Sequence, residues 1–117
     1  MKFDIKGSVV LITGGTGTFG KAFLDKCLVL GAREVRIFSR DEKKQYDMMQ
    51  MYREHPEVRF FLGDIRDKTT IDKAMPGVDF VFHAADFYTY DIFRSFQFTC
   101  GKYAIFLFFH LSVFVIN

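Results

Sequence analysis

The stretch Thr13-Gly14-Gly15-Thr16-Gly17-Thr18-Phe19-Gly20 constrains this chain more than any other, because three glycines spaced G-x-x-G-x-x-G fall where a strand pattern gives way to a helix pattern. Upstream, Val9-Val10-Leu11-Ile12 is an apolar run without alternation, as expected for a parallel strand covered on both faces. Downstream, Phe19, Ala22, Phe23, Cys27 and Leu30 recur at helical spacing until Gly31, a residue favoured just past a helix C-terminus. In such a turn Gly14 permits a tight reversal, Gly17 lets a pyrophosphate approach the backbone, and Gly20 lets the helix pack on the strand. Gly14, Thr16, Gly17, Thr18, Phe19 and Gly20 are therefore candidate cofactor-binding residues, with free N–H groups at Thr18 and Phe19 and the helix dipole facing the phosphates. The bland alternative is a glycine-rich strand-to-helix turn that holds no ligand.

The alternation continues along the chain. Glu34 to Ser39 reads as a second strand, and the charged segment Asp41 to His55, closed by Pro56, as a second helix. Val58 to Leu62 reads as a third strand. Thr69-Thr70-Ile71-Asp72 has capping-box spacing and opens a short helix that Pro76-Gly77 ends, before a fourth strand from Val78 to His83. Strands and helices at these intervals predict an α/β fold, a Rossmann-like parallel sheet in the order 3-2-1-4, the first half of a doubly wound fold. Its nucleotide site would lie at the C-terminal strand ends.

Composition narrows the class. The chain has 117 residues, half of them hydrophobic and 26% charged, with nine Gly and two Pro, which excludes disordered, collagen-like and disulfide-scaffold proteins. A net charge of +2 is too small to imply nucleic-acid binding. Cys27 and Cys100 are far apart and form no C-x-x-C pair, so neither a disulfide framework nor a metal site is expected, and a reducing compartment is the simplest setting. No basic, apolar and small-residue succession marks a secretory signal, which gives a cytoplasmic expectation. The apolar run Tyr103 to Ile116 falls short of the roughly 18 residues that span a bilayer.

Composition changes after Ala85: residues 86–117 carry eight of the sixteen Phe but only Arg94, Lys102, Asp86 and Asp91 as charges. The expected division is a dinucleotide-binding half-domain over 1–85 and an atypical Phe-rich tail over 86–117. That tail is expected to pack poorly as a fifth strand and helix. Its run Ala104 to Ile116 could nonetheless add a strand as a makeshift cover for the sheet.

The end of the second strand, about 20 residues past the glycine turn, is where a dinucleotide's adenosine ribose is read. This chain has Ser39-Arg40-Asp41 there. Arg40 can pair with a 2′-phosphate and stack on the adenine, and Ser39 can donate to the same phosphate, so NADP is favoured over NAD. Asp41 keeps NAD in view as an acceptor for a ribose 2′-OH. The plainer readings are a solvated charge for Arg40 and a helix N-cap for Asp41.

Four runs together, Leu11 to Gly20, Val35 to Gln45, Gly63-Asp64-Ile65-Arg66-Asp67 and Val81-Phe82-His83-Ala84-Ala85, resemble the extended short-chain dehydrogenase/reductase superfamily. Within it the chain is similar to the bacterial polysaccharide-biosynthesis branch of inverting UDP-N-acetylglucosamine 4,6-dehydratases and related 4-epimerases. The resemblance covers residues 4 to 85 or so. It implies that Asp64 contacts adenine through its carboxylate and Ile65 through its backbone, and that Ala84 and Ala85 line the ribose and nicotinamide path. It also implies hydride removal from the sugar C4, proton abstraction at C5, loss of water and hydride return at C6. The superfamily's Thr- or Ser-Asp-Lys stretch and its Tyr- or Met-x-x-x-Lys pair are absent: no Lys lies four residues after Tyr46, Tyr52, Tyr88, Tyr90 or Tyr103. No catalytic or metal-binding residue is assigned. The expected function is that of the cofactor-binding part of a nucleotide-sugar-modifying enzyme, inactive as this chain, with a UDP-sugar bound only by a full-length relative. The alternatives are a non-catalytic dinucleotide-binding module and a truncated product. The remaining residues have structural readings: a satisfied strand-end histidine for His83, a core residue for Cys27, and packing residues for Met48, Met49 and Met51.

Overall fold

The unalternating run becomes strand β1 (Val9–Thr13), buried at every position. The computed structural model describes residues 4–83 and the backbone of two strands, 103–107 and 113–116. Both faces of β1 are covered. Val10 and Ile12 pack with Leu24, Cys27, Val35 and Met48 in one cluster, and Val9 and Leu11 pack with Phe38, Ile71, Ala74 and Val81 in the other. Such burial is worth roughly 1.5–3 kcal/mol per large aliphatic side chain, which makes β1 the energetic centre of the fold.

Eight further described elements follow, helix and strand alternating as far as β4: α1 (Thr18–Val29), β2 (Glu34–Ser39), α2 (Glu42–Met51), β3 (Val58–Leu62), α3 (Lys68–Ala74), β4 (Phe80–His83), β5 (Tyr103–Leu107) and β6 (Val113–Ile116). The sheet order is β3-β2-β1-β4-β5-β6, so the predicted 3-2-1-4 arrangement is the one observed. All pairings from β3 through β5 are parallel, and β6 is antiparallel to β5. α1 and α2 supply the first cluster and α3 the second, so helices lie on both faces of the sheet. The inner edge of β4 is paired: Tyr103–Leu107 takes that place as a parallel strand, with Phe80 opposite Tyr103 and His83 opposite Phe106. No helix among the described residues is long and apolar enough to cross a membrane.

Three local expectations are corrected. The core face of α1 is Gly20, Leu24 and Cys27, while Phe19 is 56% and Leu30 44% exposed. The helix is thus turned by about one residue from the face its large apolar residues mark, because Gly20 closes on the glycine turn: a Cβ there would stand 2.4 Å from Gly15 Cα. Of the three methionines on α2, Met48 packs in the core, whereas Met49 and Met51 are exposed. The stripe facing the sheet is Gln45, Met48 and Tyr52, and Met49 and Met51 fall off it. α3 is capped by Asp67, whose carboxylate accepts from Thr69 N at 3.0 Å, not by Thr69. Thr70 explains the shift: its hydroxyl lies 2.9 Å from Asp64 O and 2.8 Å from Asp67 O, holding the preceding loop in the capping geometry.

Arg36 is buried on the α3 side of β2. Its Nη1 donates to Ala74 O at 2.7 Å and Pro76 O at 2.6 Å, satisfying carbonyls at the C-terminal end of α3, and its Nε donates to Glu34 Oε1 at 3.0 Å. Burial pushes the Glu34 carboxyl up, but hydrogen bonds and charges from Arg36 and Arg59 outweigh it and hold it below the ordinary value. The guanidinium therefore ties β2, α3 and the turn before β4 into one block.

Candidate functional site

The glycine turn is anchored to the sheet before it reaches α1. Gly14 adopts φ +67, a conformation that disfavours any side chain, and its N–H donates to Phe38 O at 2.9 Å. Gly17 is the N-cap of α1, in extended backbone, and the first bond of the helix runs from Lys21 N to Gly17 O at 3.0 Å. The N–H groups of Thr18 and Phe19 lie ahead of that bond. At the corresponding point α2 has Asp41 and α3 has Asp67, each accepting from the backbone with its carboxylate. α1 has no side-chain cap and no acid in its first turn. Among the described helices, α1 is the one whose positive end carries no side-chain anion.

The glycines divide into two kinds. Gly20 must lack a side chain for the helix to close on Gly15, and Gly15 is held by Ile37, whose Cγ2 would stand 2.9 Å from a Cβ. At Gly17 a Cβ would meet only Gly14 O, at 3.6 Å, an ordinary contact. Internal packing therefore demands glycine at 15 and 20 but not at 17. A bare backbone at 17 leaves a space beside the turn that no other described residue enters within 4 Å of that position.

The other candidates sit on neighbouring strand ends. Ser39 closes β2 and is 8% exposed, and its carbonyl accepts from Gly63 N at 2.9 Å, linking the β2 end to the loop after β3. Arg40 is exposed and makes no ion pair or hydrogen bond among the described residues. Asp41 caps α2, with Oδ1 accepting from Lys44 N at 2.9 Å, which is the plainer of its two sequence readings. Asp64 accepts from the Arg66 side chain, with Nη2 to Oδ2 at 2.8 Å, and from Arg66 N at 2.9 Å. The Arg66 side-chain bond and then its backbone bond, with a smaller contribution from the Arg40 charge, hold Asp64 down at about 2. Ile65 is half-buried against the α3-side cluster. The C-terminal ends of β1, β2 and β3 thus bring together the glycine turn, Ser39 to Asp41 and Asp64 to Ile65. Ala84 and Ala85 lie outside the described residues.

His83 ends β4 opposite Thr13 of β1 and is fully buried. Thr13 Oγ1 and His83 Nδ1 share a hydrogen bond at 2.5 Å, and burial pushes the imidazole down to about 4. A neutral, hydrogen-bonded strand-end histidine agrees with its structural reading. Cys27 likewise is a core residue, its thiol pushed up to about 12 by burial.

Two residues near this site carry weight that their sequence context did not reveal. Gly63 must be glycine, since a Cβ would stand 2.7 Å from the Phe38 ring and from Thr70 Cβ. Gln45 is buried and donates to the strand ends. Its signal was present as a polar residue on the stripe that continues through Met48 and Tyr52.

This architecture, a parallel sheet wound to both sides of β1 with a glycine turn opening its first helix, is that of an extended short-chain dehydrogenase/reductase. The chain belongs to the polysaccharide biosynthesis protein family of that class, which matches residues 10–106. It is 52% identical over 80 residues to a UDP-glucose 4-epimerase of Rickettsia bellii, covering 65% of this chain and 23% of the relative. The chain therefore spans about a quarter of the length of the curated relatives it matches. Among solved structures it is similar to Pen from Bacillus thuringiensis, with 35% identity, a TM-score of 0.69, and coverage of 80% of this chain and 32% of that one. A short-chain dehydrogenase/reductase from Burkholderia phymatum in complex with NAD is 26% identical with a TM-score of 0.59, covering 69% of this chain and 31% of that one.

Proposed function

We propose that this chain binds a nicotinamide dinucleotide at the C-terminal ends of β1, β2 and β3, and that it is the cofactor-holding part of a cytoplasmic enzyme acting on a UDP-sugar in bacterial surface polysaccharide biosynthesis. The observation that carries the reading is the contrast at the helix starts. α2 and α3 are closed by aspartates, while α1 opens on a bare Gly17 that internal packing does not require. A pyrophosphate is the anion whose size and charge suit that end. Residues 1–85 form the binding unit, with Gly14, Thr16, Gly17, Thr18, Phe19 and Gly20 at the phosphates, and Ser39, Arg40 and Asp41 at the adenosine ribose. Asp64 and Ile65 lie at the adenine, and Ala84 and Ala85 along the path to the nicotinamide.

NADP is preferred over NAD in this reading, because exposed Arg40 makes no hydrogen bond or ion pair among the described residues and can pair with a 2′-phosphate. The names of the curated relatives support a 4-epimerase type of reaction, with 4,6-dehydration the related possibility for the same cofactor half. The acid/base chemistry falls to the share of the relatives' length that this chain does not span, since its tyrosines lack the lysine four residues on.

Calorimetric titration of NADP and NAD into the purified chain tests the proposal. Saturable NADP binding, tighter than NAD by about tenfold or more, is the expected result, as a charge-assisted contact provides. No saturable binding of either dinucleotide would overturn it.

A further inference from the structure

We propose that Gln45 is a positioning residue that sets the direction of the Ser39 hydroxyl and so contributes to the choice between NADP and NAD. This rests on the dinucleotide reading of the site. Gln45 is 6% exposed, on the face of α2 that meets the ends of β2 and β3. Its Nε2 lies 2.8 Å from Phe61 O, 3.3 Å from Ser39 O and 3.1 Å from Ser39 Oγ. Two of these three neighbours are main-chain carbonyls, which can only accept. The amide must therefore present its NH2 group, and the alternative orientation would set its oxygen against two carbonyl oxygens.

An NH2 group has two hydrogens. One goes to Phe61 O at the shortest distance, and the other is shared between the two Ser39 oxygens. Ser39 Oγ is thereby an acceptor toward α2, and its own proton points away from Gln45. No other hydrogen bond engages that hydroxyl among the described residues. At the end of β2, beside exposed Arg40, a hydroxyl with an outward proton offers a donor to an acceptor-only 2′-phosphate. A 2′-OH, which can donate or accept, gains less from that fixed direction. Buried polar side chains earn their place by such networks, and the Ser39–Gln45–Phe61 network joins β2, α2 and β3 at one point.

Gln45→Glu reverses the direction. A carboxylate accepts from Ser39, turns its proton inward and leaves lone pairs facing the ligand. NADP and NAD are titrated calorimetrically into wild type, Gln45→Glu, Ser39→Ala and the Ser39→Ala/Gln45→Glu double variant. Gln45→Met is a further variant, of similar shape, with no donor and no charge, and urea unfolding of each reports folding. The expected result for Gln45→Glu is a loss of NADP affinity of about tenfold or more with NAD changed by less than about threefold, and no further loss of selectivity in the Ser39→Ala background. Should Gln45→Glu not fold, Gln45→Met carries the test, and a lowered NADP-to-NAD ratio is expected there too. An unchanged ratio in the folded Gln45 variants, or the same loss without the Ser39 hydroxyl, would overturn the role of Gln45 and leave the dinucleotide site standing. Absence of binding to wild type would overturn both.

Discussion

Gly20 and Gly15 meet backbone to backbone: a Cβ on Gly20 would stand 2.4 Å from Gly15 Cα and 2.7 Å from its carbonyl carbon and oxygen. That contact sets how α1 leaves the sheet and where its N-terminus points. Gly17, three residues earlier, has room for a methyl group. Gly20→Ala is therefore expected to destabilise the fold by about 1–3 kcal/mol or more, as overpacking against backbone does. Gly17→Ala should cost about 1 kcal/mol or less in stability and yet weaken dinucleotide binding. Urea unfolding and titration on both variants check the pair, and equal stability losses would contradict the division of the two glycines.

Arg36 holds the end of α3 to the sheet through Ala74 O and Pro76 O, with Glu34 as its counter-ion. Arg36→Met keeps the stem and removes every donor. Two carbonyls lose the Arg36 donor, and among the described residues Glu34 keeps Arg59 as its ion-pair partner. A loss of about 3 kcal/mol is expected in urea unfolding, the low end for breaking a buried pair because Glu34 remains partly exposed. A loss under about 1 kcal/mol would show that water replaces the guanidinium without penalty.

The parts of this structure that local pattern encodes were legible. An unalternating apolar run, a change from strand to helix period and a G-x-x-G-x-x-G spacing each depend on neighbours in sequence, so β1 to β4 and the turn could be read directly. What was not legible is set across the chain. The face of α1 depends on Gly15, the partner of Arg36 lies in α3, and Gln45 finds its partners in β2 and β3. Each of these contacts joins separate elements of the fold, and the local pattern of apolar and polar residues does not carry it. The capping reading of Asp41 was visible in its position before a helix, and the cap on α3 was misplaced because Asp67 and Thr69 both offer oxygens two residues apart. Tyr103–Leu107 joins β4 as a strand despite a composition unlike the preceding chain, because β propensity and an open strand edge suffice for backbone pairing.

Burial lowers His83 to about 4 in the folded chain from its ordinary 6.5. The unfolded chain takes up the proton first as pH falls, so the contribution of this residue is complete above about pH 6.5 and is lost progressively toward pH 4, by up to about 3 kcal/mol. Urea unfolding of wild type between about pH 7 and 5 should show stability falling with pH, and His83→Asn should show a flatter dependence over the same range. Parallel profiles would mean that the imidazole titrates alike in the folded and unfolded chain, contrary to its lowering by burial.

The central claim, that a dinucleotide lies across the C-terminal ends of β1, β2 and β3, is tested most directly by following backbone amide resonances of the isotope-labelled chain as NADP is added. The account expects saturable shifts concentrated at Gly14 to Gly20, Ser39 to Asp41 and Gly63 to Arg66. Arg40→Ala should weaken the NADP response by about tenfold or more, with little effect on NAD. Shifts confined to other surfaces, or no saturable shift at the glycine turn in a folded chain, would contradict it.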